Sequence, residues 1–206
     1  MNKLLYISNS IFPSRSANSV HVMKMCSAFK HLFDDVILLA KSDTKQNNQN
    51  FFLDYGVENE FKTKLYYTYD MKILSVLISI IVFPFIAIIK SKRNTCLYSR
   101  NRHTSFILSL LRVPHTYELH GITSKKIQNF MDNIILRSSK NKIVVISGVL
   151  KRDIEKKMNI NMSKIFVAHD GADELGDDLK PEELQGNFGT NFGYVGSLLP
   201  GKGVDF

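Results

Sequence analysis

The chain has 206 residues, 44% of them hydrophobic and 22% charged, with two widely separated cysteines and a net charge of +8. These totals exclude a disordered chain and a disulfide-framed secreted scaffold, and they give enough length to bury a core in one or two domains. The charge is uneven: residues 1–89 carry 9 basic and 7 acidic side chains, 90–164 carry 16 and 4, and 165–206 carry 2 and 8.

The opening MNKLLYISNS has too short an apolar run for a signal peptide and reads as a strand over 3–8. The polar, turn-rich SNSIFPSRSANS that follows predicts a loop. Ser19 then reads as the N-cap of a helix whose apolar positions Val20, Met23, Phe29 and Leu32 recur at helical spacing. A second strand is expected over 35–40, an exposed polar loop over 41–50 and a third strand over 64–69.

Residues 73–89, ILSVLISIIVFPFIAII, contain no charge and are flanked by Lys72 and by Lys90, Lys92 and Arg93. At ~1.5 Å per residue they only just cross a hydrocarbon core of ~30 Å, and Ser75, Ser79 and Pro84 weaken a span. A buried or groove-lining helix, an interfacial helix and a span all stay open. Further on, strands over 95–99, 115–120, 142–147 and 164–169 alternate with helices in RHTSFILSLLR, SKKIQNFMDNIILRSS and GVLKRDIEKKM.

Strands that are continuous apolar runs, each followed by a helix, predict a doubly wound α/β domain: a Rossmann-like parallel sheet with helices on both faces. Ligands of such sheets sit at the carboxyl ends of the strands. That rule nominates 8–19, 99–102, 120–123, Ser147 and 170–173. Residues 174–190 turn acidic, with Gly and Pro, and read as a linker. The domain therefore spans 1–173, and a second begins over 191–206 with the strand FGYVGS.

The segments LYSRNRHTSFILSLLRVPHTYELHG, IVVISGVLKRDI, IFVAHDGAD and YVGSLLPGKGVDF resemble, in this order, the family 4 retaining glycosyltransferases of the GT-B fold. The resemblance is patchy over 1–90 and good over 95–206. It implies an acceptor-side N-terminal domain and the first strand of a donor-binding domain. The implied enzyme moves a sugar from a nucleotide-diphosphate sugar to a bacterial-type surface glycan or glycolipid, without metal or other cofactor. The paired glutamates of the family would lie beyond residue 206, so the chain alone is expected to be inactive. Two rivals remain: a non-catalytic membrane-associated binding module or degraded reading frame, and a GT-B nucleotide-sugar epimerase relative.

The resemblance also assigns residues. His120, in ELHG, matches the histidine that contacts the transferred sugar and is the catalytic candidate. Lys202, between two glycines after a strand, can place a charge on a diphosphate, and Gly196 permits close backbone approach. Ser197 stands where the family often has arginine. Glu118, two residues before His120 and on the same side of the strand, can orient it or pair with a nearby basic residue. Arg15 and Ser19 occupy the first loop, where this chain lacks the usual glycines. Arg100 and Arg102 follow the fourth strand and suit either a lipid-linked phosphate or solvated surface, and Ser147 either lines the cleft or caps a helix. Asp170 replaces the asparagine of a hinge-closing turn. The other five histidines, His21 among them, show no convergent context. The middle segment, at +12 by difference, lacks a nucleic-acid-binding signature, so no nucleic acid is expected. Contact of 73–89 with anionic membrane is expected, and the two separated cysteines fit a reducing cytoplasm, so the expected location is cytoplasmic, with peripheral attachment at the inner face of the plasma membrane open.

Overall fold

Seven apolar segments become seven parallel strands: β1 (Lys3–Phe12), β2 (Asp35–Ser42), β3 (Lys62–Tyr67), β4 (Thr95–Ser99), β5 (Thr116–Leu119), β6 (Lys142–Val145) and β7 (Ile165–Val167). The structure, a computed structural model, describes residues 2–44, 51–57, 61–68, 71–91, 94–158, 160 and 162–171. Contacts divide the chain into the units Met1–Asp170 and Gly171–Phe206, and the sheet lies in the first. The expected linker, Gly196 and Lys202 lie outside the described residues.

The strand order is β3-β2-β1-β4-β5-β6-β7. It reverses between β1 and β4, whose registers pair Leu5 with Ile37 on one side and with Leu97 on the other. Such a reversal opens a crevice at the carboxyl edge. Side chains alternate across the sheet. Leu4 and Tyr6 pack with Val22, Met23 and Cys26 of α1 (Ala17–Phe29) and Phe52 of the short α2 (Phe51–Asp54). Leu5 and Ile7 pack on the opposite face, against α3 (Lys72–Leu77), a π-helical turn (Ile78–Val82), α4 (Phe83–Lys90) and α5 (Arg102–Leu110). α6 (Lys126–Arg137) and α7 (Gly148–Met158) cover Tyr117, Leu119, Ile143 and Val145. The fold is the expected doubly wound α/β architecture.

Local boundaries depart from expectation where polar side chains replace backbone partners. β1 runs on to Phe12 through a register shift between Ile7 and Ile11. Within that irregularity Ser8 Oγ accepts from Ser10 N at 3.0 Å, so serines satisfy the strand where the ladder does not. The cap of α1 is Ser16, whose Oγ accepts from Ser19 N at 3.3 Å. Ser19 is not the cap; it lies buried in the first turn. The helix ends at Phe29, which leaves Leu32 exposed.

Candidate active site at the strand reversal

β1, β4 and β5 bring their carboxyl ends together, and Glu118 is the hub there. It is the penultimate residue of β5 and is 4% exposed. Its Oε1 accepts a short hydrogen bond from His120 Nε2. Arg100 Nε lies 3.4 Å from the same oxygen and His21 Nε2 3.3 Å, the latter a charge contact without full hydrogen-bond alignment. Tyr6 OH donates to Oε2 at 3.4 Å. Burial alone would raise the Glu118 pKa, but His120, His21 and Arg100 together hold it well below the usual carboxylate range. The tyrosines respond in the other sense. Burial first, then the Glu118 charge, raises both Tyr6 and Tyr98, whose rings stack at 5.0 Å.

Arg100 continues β4 by donating its backbone N–H to Ile7 O at 2.8 Å. Its Nη2 reaches His120 Nδ1 at 3.3 Å. A guanidinium only donates, so Nδ1 accepts and Nε2 carries the proton given to Glu118. Both ring nitrogens of His120 are thereby engaged, while the side chain stays 32% exposed. A Cβ built at the adjoining Gly121 would meet open space, so the backbone beyond His120 is uncrowded.

His21 completes the cluster, contrary to the expectation that it has no convergent context. Its ring stands edge-on to His120 at 5.6 Å. Its Nδ1 is 3.4 Å from Asp170 Oδ1. Its position was half readable: helix N-termini in this fold point to the carboxyl edge and His21 lies in the second turn of α1, but the face of α1 that meets Glu118 is set by packing. Asp170, read as a hinge residue, meets a site histidine.

The remaining candidates are placed elsewhere. Arg102 Nε donates to buried Asp132 at 2.7 Å and ties α5 to α6. Ser19 donates to Ile11 O within the protein. Ser147 Oγ accepts from Leu150 N at 3.1 Å, the geometry of a cap on α7. Arg15 is exposed beside a cavity of about 630 Å³ lined also by Ser14, Val20, Asp54 and Tyr55.

His21, Glu118 and His120 put three ligand-type atoms within 4.8 Å of one another. A metal-bound histidine normally donates from its other nitrogen, yet His120 Nδ1 accepts from Arg100. The guanidinium also puts a positive charge beside the shared oxygen. As it stands, the arrangement is a hydrogen-bond network around one carboxylate.

No family model and no curated protein matches the sequence. Similar solved structures include UDP-N-acetylglucosamine 2-epimerase from Rickettsia bellii (TM-score 0.56, 13% identity, covering 82% of this chain and 45% of that one). UDP-GlcNAc 2-epimerase from Methanocaldococcus jannaschii gives 0.55 and 11%, with 80% and 45% covered. A glycosyltransferase from Rickettsia africae ESF-5 gives 0.52 and 14%, with 82% and 43% covered. The fold is GT-B-like. The chain spans less than half the length of each of these neighbours.

Proposed function

We propose that the chain is the acceptor-side part of a metal-independent, retaining glycosyltransferase. It would move a sugar from a nucleotide-diphosphate sugar to a surface glycan or glycolipid at the inner face of the plasma membrane. The observation that carries this is the Glu118 cluster at the strand reversal of a GT-B-like sheet. Ligands of such sheets bind there, and the resemblance of ELHG puts the transferred sugar at His120. His120 would contact that sugar. Glu118, buried and ionised, would make the imidazole electron-rich toward the positive charge that develops on the sugar ring. Arg100 would fix the ring orientation. Lys202 would meet the diphosphate, with Gly196 giving the backbone room.

Two of the three neighbours described are epimerases, which favours a second reading: epimerisation of a nucleotide sugar. The exposed apolar helix of residues 72–90 favours transfer, because a glycolipid acceptor needs a membrane and a nucleotide sugar does not. The full-length protein distinguishes them. Incubated in deuterated water with a panel of nucleotide sugars and lipid-linked acceptors, a transferase releases nucleoside diphosphate only with acceptor. An epimerase that inverts carbon by proton removal incorporates deuterium without acceptor, and that result would overturn the transferase reading.

A further inference from the structure

The helix formed by α3, the π-helical turn and α4 is apolar on both faces, and among the described residues one face packs on the sheet while the other stays exposed. Ile78, Phe83 and Ala87 pack on Leu5, Ile7, Leu39, Leu97 and Leu108. The other face carries Ile73, Leu77, Ile81, Phe85 and Ile89, an exposed apolar row in steps of four. Ile73 is 75% exposed, Ile81 59% and Phe85 62%. A helix on the surface of a globular domain ordinarily turns polar side chains outward. Here no charge interrupts residues 73–89. We propose that this outer face docks flat on an anionic bilayer.

Three observations select that occupant. Lys72 and Lys90 close the stripe at both ends, where long cationic side chains can reach headgroups while their stems follow the apolar surface. On the same face of the sheet, Arg112, Arg137 and Lys140 line a groove of about 600 Å³ between α5 and α6, with half-exposed Phe130 at its wall. Residues 90–164 carry 16 basic against 4 acidic side chains, a field that attracts anionic lipid. The helix is long and apolar enough to cross a membrane by length and composition. Its inner face packs on the sheet, and Ser79 is bonded to Asn101 and Thr104, so docking leaves it parallel to the surface. The helix begins after β3, at the carboxyl edge that holds Glu118. The site is therefore at the level from which a lipid-linked acceptor would enter. This last point rests on the transferase reading; the docking itself does not.

Flotation of the full chain with vesicles of phosphatidylcholine, with and without phosphatidylglycerol, tests the proposal. Recovery is expected with the anionic vesicles, lost in high salt and weak with neutral ones. Ile81→Asp with Phe85→Asp, at two exposed positions, should lower partitioning by about tenfold or more without changing the thermal midpoint. Leu32→Asp, exposed on a segment outside this face, should leave binding unchanged. Equal recovery from both vesicle types, or none from either, overturns the proposal. So does wild-type binding by the double aspartate variant. Resistance to carbonate extraction overturns flat docking in favour of a span. A vesicle-free dimer that the double variant abolishes assigns the face to a second copy instead. No readout uses a nucleotide sugar, so failure here is separable from failure of the transferase reading.

Discussion

Asn101 Nδ2 donates to Ser79 Oγ at 3.0 Å, so one buried side chain joins the apolar helix to the loop that carries Arg100. The same Asn101 caps α5 through Oδ1, which accepts from Thr104 N at 3.1 Å. Thr104 Oγ1 in turn donates to Ser79 O at 2.7 Å, in the widened π-helical turn. Asn101→Ala removes a cap and leaves Ser79 short of a donor. It should cost about 2–3 kcal/mol in urea unfolding. A midpoint equal to wild type would mean that this junction does not hold the helix.

Glu118→Gln keeps the shape of the hub and removes its charge. Arg100 and the two histidines then lose their shared anion, and the domain should lose about 3 kcal/mol near neutral pH. The pH dependence follows from the sign of the shift. The folded pKa lies below the unfolded value near 4.5, so the contribution is present above that pH and is lost as pH falls below it. The variant should therefore show a shallower acid-denaturation slope below about pH 4.5. Identical slopes for the two proteins would remove Glu118 from the acid response.

Lys41 presents the opposite case. Its Nζ is buried and donates only to neutral groups, Asn9 Oδ1 and Ser75 Oγ, among the described residues. Burial lowers its pKa from 10.5 to about 8. Between those two values the unfolded chain holds a proton that the native state has released, so stability should rise with pH across that window. Lys41→Met should abolish the rise and, at pH 7, stabilise the domain by about 1–3 kcal/mol. A destabilised variant would show that the ammonium is favourably held.

Strand and helix alternation was legible because the strands are buried on both faces and read as unbroken apolar runs. Chain order beyond that was not legible: nothing in the sequence says that β4 pairs with β1 across the reversal. The site was half legible. His120 and Arg100 follow strands directly and Glu118 lies near the end of one, so their position at the carboxyl edge could be read from spacing. His21 was readable only as a residue near the start of a helix; that its side of α1 meets Glu118 is set by packing. The cap itself was not legible, because Ser16 and Ser19 both follow polar loop residues and burial of Ser19, a tertiary property, decides. Arg102 looked equivalent to Arg100, two residues away, yet helical geometry turns it toward Asp132. The apolar helix was visible as composition, but the sequence could not say which of its faces meets the sheet.

His21 and His120 both act on one carboxylate, and that predicts how their substitutions combine. In the full-length enzyme under the transferase reading, His120→Ala should lower kcat about a hundredfold, roughly 3 kcal/mol, because the ring contacts the reacting sugar. Affinity for the nucleoside diphosphate, measured by calorimetry, should not change, since on that reading Lys202 rather than His120 meets the phosphate. His21→Ala should cost about tenfold, because it acts only through Glu118 and by edge contact with His120. Side chains that share a partner are not independent. The double variant should therefore be slower than His120→Ala by clearly less than that tenfold, because once His120 is gone the orientation that His21 supports has no ring to act on. Strict additivity would separate the two histidines into unrelated roles. Loss of nucleotide binding in His120→Ala would place its imidazole on the phosphate rather than on the sugar.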